Sequence, residues 1–115
     1  MTVEQADVVD IVSIDPKTGQ VVLTVSDHLD WSNTARHQLI LQTKLNKYLA
    51  FIESGEILQS YPDSQNRAIT IKVVFKYKPD EDGEQFLERA GTVVQSAGFT
   101  LRHEVFTESH HLWRG

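Results

Sequence analysis

Two β-branched runs, Val8–Ile14 and Val21–Ser26, flank the segment Asp15-Pro16-Lys17-Thr18-Gly19. Proline at the second turn position, with glycine following at positive φ, suits a loop built on a type I turn, so the pair predicts a β-hairpin. With Pro16–Gly19 as the loop, Asp15 faces Gln20 and the register follows. Val8, Val12 and Ile14 then share a core face with Val21, Leu23 and Val25, while Val9, Ile11 and Val22 share the opposite face with Ser13, Thr24 and Ser26. That second face is greasier than full solvation would favour.

Beyond the hairpin the period changes from two to 3.6. Leu41, Leu45, Tyr48, Leu49 and Ile52 recur at helical spacing, with Asp30 or Ser32 available to cap the first turn and Gly55 placed as a left-handed stop. The predicted helix, Trp31 to Ser54, is roughly 35 Å long at 1.5 Å per residue, and leaves Leu39, Ile40 and Phe51 outside its main stripe. Glu56–Tyr61 reads as a short strand and Pro62–Asn66 as a loop. In Arg67–Lys78, Ile69, Ile71, Val73, Phe75 and Tyr77 alternate with a lysine-rich face, the pattern of a half-buried strand in an antiparallel-type sheet. An acidic stretch from Pro79 to Glu84 enters a second helix with the stripe Phe86, Leu87, Ala90, Val93, Val94 and Ala97, stopped at Gly98. Phe99–Phe106 is a last strand.

The expected order is ββαββαβ, an α+β two-layer sandwich with two helices on one face of a mostly antiparallel sheet. Without its first strand it reads βαββαβ, so a ferredoxin-like variant is one form it can take, although the hairpin competes for a neighbour position in that fold. At 115 residues, one domain spanning 1–115 is expected, with a core over about 6–106 and a polar tail over 107–115.

Composition narrows the function classes. The absence of cysteine excludes a disulfide framework, thiolate metal sites and a cysteine nucleophile. A net charge of −5 works against nucleic-acid and anionic-membrane partners. Met1–Asp7 has neither a basic nor an apolar leader segment, and no apolar run is long enough to span a bilayer, so a soluble, cytoplasmic protein is expected. Glycine-rich phosphate loops and the common hydrolase motifs are missing.

The densest polar cluster is Asp27-His28-Leu29-Asp30-Trp31, where a strand hands over to a helix. The hairpin register sets Asp10 on the core face opposite Val25, where a carboxylate needs solvent or a partner such as His28, Arg36 or His37. An acid–imidazole pair there has general acid/base potential. The plainer account is that Asp27 and Asp30 cap the helix and Asp10 orders the loop. His103 is in phase with Phe99, Leu101 and Val105, pointing to the core or its rim, and meets Asp10 if the last strand pairs beside the hairpin. Asp10, His28, Asp30 and His103 are thus the candidate catalytic set. The adjacent His110 and His111 lack the spacing of a shared metal site, and the Asp80–Glu84 run suits a helix start better than a cation loop, so neither a metal nor a cofactor is expected. Lys72, Lys76 and Lys78 make a basic stripe, but Phe75 and Tyr77 are expected on the opposite, core face, away from any base-stacking role.

Two stretches carry a family likeness: Val9-Asp10-Ile11 through Asp15-Pro16-Lys17-Thr18-Gly19 to Asp27-His28-Leu29-Asp30-Trp31, and Leu41-Gln42-Thr43-Lys44-Leu45-Asn46-Lys47-Tyr48-Leu49-Ala50-Phe51-Ile52-Glu53-Ser54-Gly55. Together they resemble a family of small, stand-alone bacterial proteins classed as a domain of unknown function. The likeness covers about residues 6–106, implies a bacterial cytosolic origin, and brings no catalytic role with it.

The sequence therefore reads as a non-catalytic protein-interaction domain, self-associating as a homo-oligomer such as a dimer or binding another protein. Its apolar surplus would form the contact: Val9, Ile11 and Val22 on the hairpin, Ile40 and Phe51 on the helix, and Trp113 in the tail. The alternative is a small-molecule-binding protein or enzyme built on the Asp/His cluster at the hairpin–helix junction. A nucleic-acid accessory module using the lysine stripe is a third and weaker reading.

Overall fold

The structure, a computed structural model, describes residues 11–106. Strand β1 (Ile11–Ile14) and strand β2 (Val21–Asp27) form the expected hairpin. Asp15 and Gln20 close it through a 2.8 Å backbone bond, and Gly19 takes φ +75°, which a side chain would resist. The register pairs Val12 with Leu23 and Ile14 with Val21. Val21, Leu23 and Val25 are fully buried, as the alternation requires.

Helix α1 (Thr34–Glu53) follows, then a short helix α2 (Glu56–Ser60) and a 3-10 turn at Pro62–Ser64. Strand β3 (Ile69–Phe75), helix α3 (Glu81–Ser96) and strand β4 (Thr100–Val105) complete the described chain. Gly55 and Gly98 both adopt positive φ immediately after helical segments, confirming the two stop signals.

Segment 56–61 corrects the expectation of a strand. Gly55 turns the chain, a further helical turn begins, and Ile57 drops into the core at 2 % exposure. Without a strand there, the chain returns to the starting edge of the sheet before β3 begins, so β3 runs parallel to β2. The same crossover through α3 makes β4 parallel to β3. The sheet is therefore mixed, with order β1-β2-β3-β4 and only the hairpin antiparallel, in place of the mostly antiparallel sheet expected. No ferredoxin-like arrangement forms, because the strand it needs after the first helix is helical.

The α+β class holds. The core unites Val21, Leu23 and Val25 of β2, Ile71, Val73 and Phe75 of β3, Leu41, Leu45, Tyr48 and Ile52 of α1, and Phe86 and Leu87 of α3. Three further corrections concern single side chains. Ile14, expected on the core face of the hairpin, is exposed. Tyr77 lies beyond β3 and is exposed, not in the core, and Val93 of the expected α3 stripe is 59 % exposed.

Candidate functional site

The three parallel strands end together, at Asp27, Phe75 and Val105. The segment leaving β2 must turn back into α1 at that end, and the sequence provides side chains to satisfy its backbone. Asp27 Oδ1 accepts from the Leu29 amide at 3.0 Å, and Asp30 Oδ1 accepts from both the amide and the hydroxyl of Ser32. These are local Asx-type turns. The helix cap itself is Asn33, which accepts from the Arg36 amide at 3.2 Å, so neither Asp27, Asp30 nor Ser32 caps α1 as expected.

The centre of the cluster is a residue that the candidate set omits. His37, in the first turns of α1, is 2 % exposed, and its Nε2 lies 2.5 Å from Asp27 Oδ2, itself in a residue 1 % exposed. The imidazole Nδ1 lies 3.0 Å from the carbonyl oxygen of Asp30. A carbonyl only accepts, so Nδ1 carries a hydrogen. One more hydrogen is then shared between Nε2 and Asp27. Whichever atom holds it, the pair is neutral overall, which is how two titratable groups can occupy this dry position. Both ring nitrogens and both Asp27 oxygens are engaged within the protein.

Aromatic rings close the pair off. Trp31 stacks on His37 with centroids 3.7 Å apart, Phe75 lies edgewise to His37, and Trp31 tilts against Phe75. The indole Nε1 donates to the Tyr77 carbonyl at 3.2 Å. Helix α3 begins on top of the indole: Asp80 caps it by accepting from the Gly83 amide at 2.7 Å, and its other oxygen accepts from the Thr34 hydroxyl at 2.6 Å. Asp80 thus ties the starts of both long helices together. The Thr34 hydroxyl, and then the Gly83 amide, hold the Asp80 carboxyl below the usual carboxylate range. The Ser32 hydroxyl and amide do the same for Asp30.

The candidate residues are dispersed around this plug. His28 and Asp30 are exposed and border a shallow hollow of about 240 Å³ at the strand ends, lined also by Arg36 and Tyr77, and His28 borders a second of about 500 Å³ that reaches Lys76 and Phe106. His103 is exposed on β4, with its ring edgewise to Phe75 at 6.0 Å. β4 pairs with β3 and not beside the hairpin, so the condition for a meeting of His103 with Asp10 is not met. Asp10, Val9 and Trp113 lie outside the described residues, as does the side chain of Ile11. Val22 is half-buried on the helix-free face of the sheet. Ile40 and Phe51 are half-buried and pack against the core.

His37 was legible in retrospect. It stands four residues before Leu41, so extending the α1 stripe backwards by one turn puts it inside. Lys44 is a second polar residue on that buried side, fully enclosed, with its ammonium 5.4 Å from the centre of the Tyr48 ring. Among the described residues, no group of three His, Asp or Glu side chains is arranged to hold a metal ion, and no helix is long and apolar enough to cross a membrane.

A family model matches residues 1–107. The chain belongs to DUF6572, a family of unknown function. No curated protein and no solved structure matches it. The family therefore brings no reaction with it, and the chemistry open to this member is what its own geometry allows. The Asp27–His37 pair offers no free atom to a substrate, and it acts as a polar pin joining β2 to α1.

Proposed function

We propose that this chain is a non-catalytic interaction domain that self-associates. The observation that carries the reading is the closure of the Asp27–His37 pair. The acid–imidazole couple best suited to proton transfer uses all four of its polar side-chain atoms internally, beneath Trp31. Large apolar side chains meanwhile stand at the surface. Leu39 and Val93, 63 % and 59 % exposed, flank a groove of about 490 Å³ between α1 and α3, and Val105 and Phe106 are exposed at the end of β4. Exposed apolar surface of this kind favours contact with another protein surface. Size-exclusion chromatography with light scattering over a range of loading concentrations tests the reading. A mass that rises with concentration towards twice that of the monomer supports it, and a monomer mass throughout refutes it.

A small-molecule site at the strand ends is the second reading. Its support is the position of His28, Asp30, Arg36 and Tyr77 around one hollow beyond the carboxyl ends of parallel strands, where open α/β sheets commonly bind ligands. At about 240 Å³ this hollow is smaller than most ligand pockets, which ranks it second. Amide shifts confined to residues 28–40 and 77 on adding a metabolite mixture would favour it over self-association.

A further inference from the structure

Strand β4 forms one edge of the sheet, and among the described residues no strand pairs with its outer side. The Phe106 amide donates to the Phe75 carbonyl at 2.7 Å. Backbone groups alternate in direction along a strand, so Arg102 and Glu104 also direct theirs at β3, while Leu101, His103 and Val105 direct theirs outward. Resting on the self-association reading, we propose that the open edge of β4 pairs antiparallel with β4 of a second copy, in a register centred on His103.

The sequence about His103 matches itself in that register. Arg102 faces Glu104 of the second copy, Glu104 faces its Arg102, and Leu101 faces Val105 twice over. The outward backbone groups of Leu101, His103 and Val105 meet in hydrogen-bonded pairs. Arg102 and Glu104 fall in the intervening positions, where opposed side chains lie closest. Opposite charges facing each other across an antiparallel pair stabilise it, and like charges oppose it. Centring the pair on Leu101 instead sets Arg102 against Thr100 and Glu104 against Gly98 and loses the charge match, whereas centring on Val105 sets Glu104 against Phe106 and leaves Arg102 a partner only in Glu108, beyond the last residue of β4. Charges on an edge strand usually discourage pairing. Here their spacing rewards the register centred on His103, with both charges matched inside β4, and sets like charges together in those centred on Arg102 or Glu104. Arg102, His103, Glu104 and Val105 are all exposed, so their side chains are accessible to a partner without disturbing the core. Closing a two-fold pair in this way joins the two sheets into one of eight strands.

The test is sedimentation equilibrium of the full chain and three variants, R102E, E104R and R102E/E104R, each checked for unchanged circular dichroism. Each single reversal places like charges opposite each other at both symmetric positions and is expected to weaken the dimer by about tenfold or more. The double reversal restores complementarity and should return the dimer to near its original affinity. In parallel, the amides of Leu101, His103 and Val105 should gain protection from hydrogen exchange as concentration rises, while those of Arg102 and Glu104 stay unchanged. A wild-type dimer that ignores all three substitutions, with no protection at those amides, overturns the β4 interface and leaves self-association standing. A wild-type monomer at every concentration overturns both.

Discussion

Trp31 lies so close to Gly83 that a methyl group on that glycine would stand 2.8 Å from the indole. The first turn of α3 therefore rests directly on the ring that covers His37. Two alanine substitutions separate this packing from helix propensity. Alanine in a helix interior is favoured over glycine by up to about 1 kcal/mol. At Gly91 nothing stands within 4 Å of the added carbon, and Gly91→Ala should stabilise by about that amount. At Gly83 the indole cannot move without unstacking from His37, and overpacking of this kind costs about 1–3 kcal/mol. Gly83→Ala should therefore destabilise despite its better propensity, with the two variants shifting the urea midpoint in opposite directions.

Removing one member of the buried pair should cost far more. His37→Ala leaves the Asp27 carboxyl enclosed with its main partner gone, and breaking a buried pair this way costs about 3–5 kcal/mol. Asp27→Ala strands the imidazole similarly. The double variant should cost clearly less than the two single losses added together, because either single change already destroys the interaction. Denaturant titration of the four proteins measures the coupling, and strict additivity would show that the 2.5 Å contact contributes nothing.

Acid should loosen the junction between the helix starts. The Asp80 carboxyl is held below its ordinary range by the Thr34 hydroxyl and the Gly83 amide, and Asp30 by Ser32. A depressed carboxyl contributes stability that is fully present above the unfolded-state value and is lost as pH falls through the folded-state value, because the unfolded chain binds protons first. Stability should therefore decline on acidification below about pH 4, where free carboxyls begin to protonate. In Thr34→Val the Asp80 carboxyl should titrate at higher pH than in the parent, as followed by carbon-detected NMR of its side chain, and in Asp80→Asn the acid limb of the stability profile should flatten.

Trp31 also ties the segment after β3 to the approach to α1 through its bond to the Tyr77 carbonyl. Replacing it by alanine removes the lid from His37 and the floor from Gly83, and truncation of a large packed aromatic costs about 3–5 kcal/mol. Trp31→Phe keeps a ring but loses the indole donor, so it should cost less than the alanine change. Both are best compared with the parent by thermal unfolding followed by circular dichroism, which does not depend on the substituted tryptophan.

Local signals in the chain were sufficient for the hairpin, its register through Asp15 and Gln20, the buried faces of β2 and β3, the stops at Gly55 and Gly98, and the acidic start of α3. Each depends on periodicity or turn chemistry within a few residues, and those act in any context. Strand direction was decided only by the tertiary structure. The alternation from Ile69 to Phe75 reports that helices cover one face of the sheet, and it is the same for parallel and antiparallel neighbours. The direction of β3 depended on whether segment 56–60 became a strand or a helical turn, which the burial of Ile57 against the core resolved. The Asp27–His37 pair was likewise hidden, because its partners come from a strand end and a helix start and become neighbours only when α1 lies down on the sheet. A buried charge needs a partner, but the identity of that partner belongs to the packing.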